Sequence, residues 1–166
     1  MTQETSPRSL VRDAAALAGF LVLCFAISGL GAWVTSTSVD TWYQTLNKPS
    51  FNPPAWVFAP VWTTLYIFMA IAGWLVWRKV GFGQARQAFV WYFLQLALNL
   101  VWSFLFFGAQ SPGAAFIEVL VFLIAIIMTA THFSRFDRIA TLLFAPYIAW
   151  VAFASVLNGT IWYLNG

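Results

Sequence analysis

The sequence predicts an all-α integral membrane protein, a bundle of five transmembrane helices with a long structured loop between the first two. Of its 166 residues, 61% are hydrophobic and only 8% are charged, and the mean hydropathy is +0.80. A water-soluble domain usually carries about 25% charged residues, so this chain requires lipid as its solvent. Its apolar stretches reach the roughly 20 residues that a spanning helix needs. We therefore expect a single membrane domain over residues 1–166.

The apolar stretches give the approximate limits of the five predicted spans. The first, about 10–34, is longer than the roughly 7–15 apolar residues of a signal peptide, so we interpret it as a retained helix. The other four cover about 56–77, 87–107, 114–133 and 138–164. Gly81 and Gly83 indicate a short turn between the second and third spans, and residues 35–55 form the long loop.

Pro146 lies inside the fifth span. Proline removes a helical hydrogen bond, so we expect a kink at this point. The kink either widens the bundle beside Tyr147 and Trp150 or accommodates the packing of neighbouring helices.

The basic residues predict the orientation of the chain. With five spans, all but one of the eight lie on the side of the N-terminus: Arg8, Arg12, Arg78, Lys79, Arg86, Arg135 and Arg138. Cytoplasmic loops retain Lys and Arg, so we expect a cytoplasmic N-terminus in a bacterial membrane, with the C-terminus and loop 35–55 external. The net charge of +3 then reflects membrane topology, and we expect the lipid bilayer rather than nucleic acid as a partner.

Few residues are available for metal binding or conventional catalysis. Cys24 is the single cysteine and His132 the single histidine, which excludes a metal site built from several such residues. We predict no metal and no required cofactor. His132 lies at the cytoplasmic end of the predicted fourth span, across the membrane from the long loop, so we do not expect it to ligate a group bound beneath that loop. Glu118, inside the fourth span, is expected to snorkel or to bond a neighbouring helix, with a proton or ligand role as the alternative.

The long loop has an unusual composition for a linker. It carries Trp42, Tyr43 and Phe51 together with prolines, which restrict the backbone at low entropic cost. One interpretation is a folded lid that closes the outer mouth of the bundle. The other is an interfacial loop that rests on lipid headgroups.

Aromatic and amide side chains recur at helical spacing on three spans. Amides are costly against lipid and should face the bundle interior. They could line a cavity with the aromatic rings or simply bond neighbouring helices. These faces comprise Trp62 and Tyr66; Gln95, Asn99 and Trp102; and Tyr147, Trp150, Ala154 and Asn158.

Together these motifs resemble the TspO/MBR family, also called the translocator protein or peripheral-type benzodiazepine receptor family. The family's loop pattern is W-Y-x-x-L-x-K-P-x-W-x-P-P. It reads here as Trp42, Tyr43, Leu46, Lys48, Pro49, Phe51, Pro53 and Pro54, with Phe51 in place of the family tryptophan. The resemblance continues over about residues 15–163 through Phe58, Trp62, Leu65, Tyr66, Asn99, Trp102, Ser103, Pro146, Tyr147, Trp150, Ala154, Leu157 and Asn158.

The resemblance implies a protein that binds tetrapyrroles, protoporphyrin IX or haem, in a pocket under the loop and acts as sensor, scavenger or carrier. The implied ligand-binding residues are Tyr43, Pro53, Trp62, Tyr66, Asn99, Trp102, Tyr147, Trp150, Ala154 and Leu157. One alternative is an enzyme in which Trp62 and Trp150 take part in light-dependent breakdown of protoporphyrin; another is a small-molecule transporter.

The resemblance also implies a homodimer. It does not extend to the cholesterol motif of animal members, which needs a basic residue after Leu157. None follows Arg138 here, so cholesterol binding by that motif is not expected.

Overall fold

Five membrane-spanning segments form the fold, as predicted. The structure is a computed structural model that describes residues 7–166, with side chains from Leu10 onward; the side chain of Arg8 lies outside this range. All regular elements in the described range are helical. They are α1 (Pro7–Ser36), α2 (Trp42–Thr45), α3 (Ala55–Gln84), α4 (Arg86–Ser103) with a π-helical turn (Phe104–Gly108), α5 (Pro112–Phe133), α6 (Arg138–Leu143) and α7 (Ala145–Asn165). Five segments are long and apolar enough to cross a bilayer, and the chain is a multi-pass membrane protein.

The spans form a ring in which α1 packs against α3 and α4, α4 against α5, and α5 against α7; α6 closes the ring against α3, whereas α7 does not pack closely on α3. We call the end that carries residues 37–54 the loop end. The opposite end, which carries Arg78, Lys79, Arg86, Arg135 and Arg138, is the basic end. The long predicted loop thus covers one mouth of the bundle.

The second span ends at the predicted turn, a few residues beyond its predicted limit near residue 77. Helix α3 (Ala55–Gln84) is interrupted at Gly81, which has the non-helical values φ +68° and ψ 177°, and α4 begins at Arg86. Glycine adopts this backbone conformation readily because it lacks Cβ, so the chain bends and then resumes helical structure for one more turn.

The fifth span is interrupted at Phe144, two residues before Pro146. Helix α6 ends at Leu143 and α7 starts at Ala145, so Pro146 lies in the first turn of α7, where a missing N–H costs little. Beyond this break α6 packs against α3, whereas a groove separates α7 from α3. The structure thus supports the alternative in which the kink widens the bundle.

Hydrogen bonds attach the long loop to the loop end. The Ser38 hydroxyl donates to the Phe107 carbonyl at 2.8 Å. The Asn47 amide donates to Asn165 Oδ1 at 2.8 Å, and Asn165 Nδ2 returns a bond to the Asn47 carbonyl at 2.9 Å. Within the loop, Lys48 Nζ lies 4.7 Å from the centre of the Tyr43 ring. These contacts support the folded-lid interpretation.

An ion pair at the basic end connects α3 to the segment before α6. Lys79 Nζ lies 2.6 Å from Asp137 Oδ2, and Asp137 Oδ1 accepts the Ala140 amide at 2.8 Å as the N-cap of α6. Burial alone would raise the pKa of Asp137. The Lys79 ammonium and the capping amide outweigh it and hold this pKa below its usual range.

We expect this ion pair to make stability depend on pH. Because the folded-state pKa of Asp137 is lowered, its contribution is fully present above the ordinary pKa of about 4 and is lost as the pH falls through the lower, folded-state value. Half of the Lys79 side chain is exposed, so the contribution should be about 1 kcal/mol or less. Unfolding in detergent from pH 7 to pH 3 measures it. Asp137→Asn can still cap α6, and it should reduce the fall in the free energy of unfolding at acid pH. Equal pH dependence of the free energy of unfolding in both proteins would contradict the prediction.

Candidate functional site

A hydrogen-bonded cluster of four buried side chains occupies the interior of the bundle. Tyr66 on α3 donates to Asn99 Oδ1 at 2.6 Å, and Asn99 Nδ2 donates to the Tyr147 hydroxyl at 3.1 Å. Tyr147 in turn donates to Gln95 Oε1 at 3.0 Å. The chain of bonds joins α3, α4 and α7. In an apolar interior these amides need such partners, since an unsatisfied polar group there is costly. We call this set the central polar cluster.

Aromatic rings surround the central polar cluster. The Trp62 ring centre lies 5.8 Å from that of Tyr66 and 6.3 Å from that of Tyr147. Phe122 on α5 lies 6.0 Å from Tyr147 on another side. Trp62 therefore bridges α3 and α7 directly beside the hydrogen-bonded groups.

A second group of rings fills the space beneath the long loop. Trp102 stacks on Phe106 at 5.2 Å, and Tyr43 of the loop lies 6.1 Å from Phe106. The Trp102 indole donates to Asn158 Oδ1 at 3.0 Å, while Asn158 Nδ2 donates to the Pro112 carbonyl at 2.8 Å. These two bonds hold α4, the start of α5 and α7 together at the loop end.

The loop wall of this second group is itself fixed. Tyr43 donates to Asn52 Oδ1 at 3.0 Å, and Asn52 Nδ2 donates to the Pro53 carbonyl at 3.3 Å. Burial raises the pKa of Tyr43, so its hydroxyl stays protonated and remains a donor at neutral pH. Leu157 packs in the same group, next to Phe106.

Trp150 lies apart from both groups, at the groove between α3 and α7. Its ring centre is 5.8 Å from that of Phe58 and 5.6 Å from that of Phe153. The groove encloses about 670 Å³ and is open towards the surrounding bilayer. Almost all of its lining is apolar: Pro53 from the loop; Pro60, Val61, Thr64, Leu65 and Phe68 from α3; Pro146, Ala149, Trp150 and Phe153 from α7.

Three side chains have buried polar atoms that lack hydrogen-bond partners within the described part of the chain. They are the Trp150 indole nitrogen, both carboxylate oxygens of Glu118, and Asp13 Oδ1, which lies 3.8 Å from Arg12 Nε on α1. The expected bond from Glu118 to a neighbouring helix is therefore absent from the described residues. Unsatisfied buried polar groups are rare in native proteins, so the Trp150 N–H and the Glu118 carboxylate are candidates for contact with a bound molecule.

His132 takes no part in these groups. Its Nδ1 lies 2.7 Å from the Met128 carbonyl, and its ring centre lies 6.4 Å from that of Trp91 towards the basic end. Among the described residues, no three His, Cys, Asp or Glu side chains lie close enough together to hold a metal ion.

Nine of the ten predicted site residues thus fall into three neighbouring groups. Trp62, Tyr66, Asn99 and Tyr147 form the central polar cluster and its aromatic border; Tyr43, Trp102 and Leu157 lie beneath the loop; and Trp150 and Pro53 line the groove. Ala154 is half-buried on α7, between the level of Trp150 and that of Asn158.

The structure adds residues that the motif did not bring into the site. Gln95 closes the central polar cluster, and its i, i+4 spacing from Asn99 was the available signal. Phe58 and Phe153 flank Trp150, and Phe106 stacks on Trp102. Phe58 belongs to the family pattern given above, whereas nothing in the local sequence distinguishes Phe153 and Phe106 from the chain's other phenylalanines.

Comparison with known proteins agrees with this architecture. The family model of the TspO/MBR family matches residues 20–164. The chain is 43% identical over 147 residues to the tryptophan-rich protein TspO of Chlorobaculum tepidum, covering 86% of this chain and 91% of that protein. It is 40% identical over 140 residues to the translocator protein of Homo sapiens (80% and 82% covered). It is also 38% identical over 146 residues to the tryptophan-rich sensory protein of Cereibacter sphaeroides (88% and 89% covered). The chain belongs to the TspO/MBR family.

Proposed function

We propose that this protein binds tetrapyrroles such as protoporphyrin IX or haem within the membrane and acts as a sensor, scavenger or carrier for them. Membership of a family whose members include proteins named translocator and sensory protein supports the broader role of membrane sensor or translocator. The observation that carries the narrower proposal is the set of aromatic rings around hydrogen-bonding groups between α3 and α7.

The chemistry of the site suits such a ligand. A tetrapyrrole is a flat, apolar ring system, and aromatic faces such as Trp62 and Trp150 provide favourable stacking surfaces. Its propionate groups need hydrogen-bond donors, of which the buried Trp150 N–H is one, and the pyrrole N–H groups of protoporphyrin need an acceptor, which the Glu118 carboxylate can supply. Tyr43 and Pro53 of the loop would complete the walls.

A binding titration tests the proposal. We expect protoporphyrin IX to quench the protein's tryptophan fluorescence saturably, with an affinity of roughly micromolar, about 8 kcal/mol. Trp62→Ala should weaken binding several-fold because it removes a stacking face. The control is Trp56→Ala, since Trp56 is 74% exposed at the start of α3. Absence of saturable binding to the wild type, or equal weakening by both variants, would reject the proposed function.

A second function, light-dependent degradation of protoporphyrin, is favoured by one observation. The Trp150 indole has no hydrogen-bond partner in the described chain, and Trp62 lies across the same helix pair. In this alternative an excited porphyrin exchanges an electron with an indole or activates oxygen beside it.

Trp150→Phe separates this alternative from binding alone. Phenylalanine keeps a flat ring but is much harder to oxidise, so the variant should retain binding and lose porphyrin absorbance several-fold more slowly under illumination. The measurement is a timed illumination of wild type, Trp62→Phe and Trp150→Phe at equal porphyrin saturation. Identical bleaching in all three, or in protein-free detergent, would leave only the binding function.

A further inference from the structure

We propose that the groove between α3 and α7 is a lateral passage through which a lipid-dissolved ligand carrying a hydrogen-bond acceptor reaches the interior, with the Trp150 ring as its movable wall. This inference rests on the proposed function and adds the route and the chemistry that the ligand must have. Three features of the structure support it: the depth of Trp150, the state of its N–H, and the unequal closure of the route through this groove and the route through the loop end.

The first feature is depth. The fifth span, Arg138–Asn165, has 28 residues, which corresponds to about 42 Å at 1.5 Å per residue. Trp150 lies about 18 Å along this span from Arg138. Its ring neighbour Phe58 is in the first turn of α3 and Pro53 of the loop lines the same groove, so the groove runs from the loop end into the spanning part of the bundle. Because its lining is almost wholly apolar, a molecule dissolved in the hydrocarbon on the loop side can meet Trp150 from outside.

The second feature is the indole N–H. The Trp150 ring lines the groove, yet its nitrogen is buried and has no partner among the described residues. A molecule resting on the outside of the groove cannot bond this nitrogen. An acceptor that has passed the ring can do so, and it would satisfy a donor that is otherwise costly to bury. This favours ligands with a carbonyl, ester or imine nitrogen over plain hydrocarbon chains.

The third feature is that the two routes are closed to different degrees. At the loop end, a ligand must break the two bonds between Asn47 and Asn165 and the bond from Ser38 to Phe107. At the groove, Trp150 is held by ring contacts with Phe58 and Phe153, without a hydrogen bond. Ring contacts can re-form after a rotamer change, whereas the loop bonds must all be lost together.

The groove also has a suitable size and lining for a small-molecule route. Its volume of about 670 Å³ falls within the range of ligand sites, about 300–1,000 Å³. Its Thr64 hydroxyl already donates to the Pro60 carbonyl at 2.9 Å. An apolar molecule therefore meets no unsatisfied polar group until it reaches the indole.

The test compares a variant that blocks the groove with one that releases the loop. Ala149→Phe fills the groove from its exposed wall. Val156→Phe adds the same ring to a second groove, of about 900 Å³, on the face of α7 that Gly159 and Tyr163 also line, and so tests that alternative route. Asn165→Ala removes two of the three loop bonds and so loosens the loop end. The probe is protoporphyrin IX dimethyl ester, dissolved in donor vesicles and taken up by protein in proteoliposomes.

Ala149→Phe should slow uptake by about tenfold, equivalent to about 1.4 kcal/mol of added barrier. Val156→Phe and Asn165→Ala should leave the rate unchanged.

A second measurement does not depend on porphyrin. Phospholipids brominated in the middle of the acyl chain quench indoles that they contact. The fluorescence assigned to Trp150, as the difference between wild type and Trp150→Phe, should be quenched strongly, and Ala149→Phe should protect it.

Faster uptake by Asn165→Ala with no effect of Ala149→Phe would overturn the inference and leave the proposed function intact. An unquenched Trp150 would also overturn it. Quenching of Trp150 without any saturable uptake of the ester would reject the proposed function, while the opening to the bilayer would stand.

Discussion

Asn99→Leu should lower the free energy of unfolding by about 2–4 kcal/mol, the largest loss that we expect from a single change in the interior. Asn99 accepts from Tyr66 and donates to Tyr147, so the substitution removes two bonds of the central polar cluster. Tyr147 keeps its bond to Gln95, but the Tyr66 hydroxyl is left buried without a partner. Membrane hydrogen bonds contribute on average about 0.6 kcal/mol, and an orphaned buried group costs about 1–3 kcal/mol.

Unfolding of the purified protein in mixed micelles by a denaturing detergent measures this loss. The matched control is Thr131→Val, because the Thr131 hydroxyl is exposed and bonds only the Ile127 carbonyl of its own helix. Adding Tyr66→Phe to Asn99→Leu should restore about 1 kcal/mol or more, since it removes the orphaned hydroxyl. An Asn99→Leu protein as stable as Thr131→Val would show that the central polar cluster does not hold the three helices together.

Glu118→Leu should have the opposite effect and raise the free energy of unfolding by about 1–3 kcal/mol. Neither carboxylate oxygen of Glu118 has a partner in the described chain, and both are buried in a spanning helix. Leucine is similar in size, has a high helix propensity and removes the unsatisfied polar group. A residue that lowers the free energy of unfolding of the protein without ligand is typical of a functional site.

The same detergent titration, carried out with and without protoporphyrin IX, distinguishes the stability that Glu118 costs the protein from the part that Glu118 plays in ligand binding. Glu118→Gln retains a polar group and should give the smaller gain. If Glu118 contacts the ligand, Glu118→Leu should be stabilised less by porphyrin than the wild type is. A Glu118→Leu protein that is less stable than the wild type would indicate a structural role for the carboxylate that the described contacts do not account for.

The sequence by itself determined the number of spans and the family. Charged residues are excluded from the hydrocarbon core, so the apolar stretches between Arg12, Arg78, Lys79 and Arg138 had to be helices that cross it. The same rule predicts that Asn99 and Tyr66 face inward. It cannot identify their partners, because Asn99 bonds tyrosines 33 and 48 residues away in the chain.

Only the tertiary structure decided where the helices bend and how the site is divided. The break in α3 depends on the positive φ of Gly81, which a glycine permits but does not require. Pro146 predicted a kink, but its direction follows from α6 packing on α3 while α7 stands apart. That direction creates the groove beside Trp150. The spacing of residues along one helix cannot reveal this groove, because the two walls of the groove come from α3 and α7, which are distant in sequence.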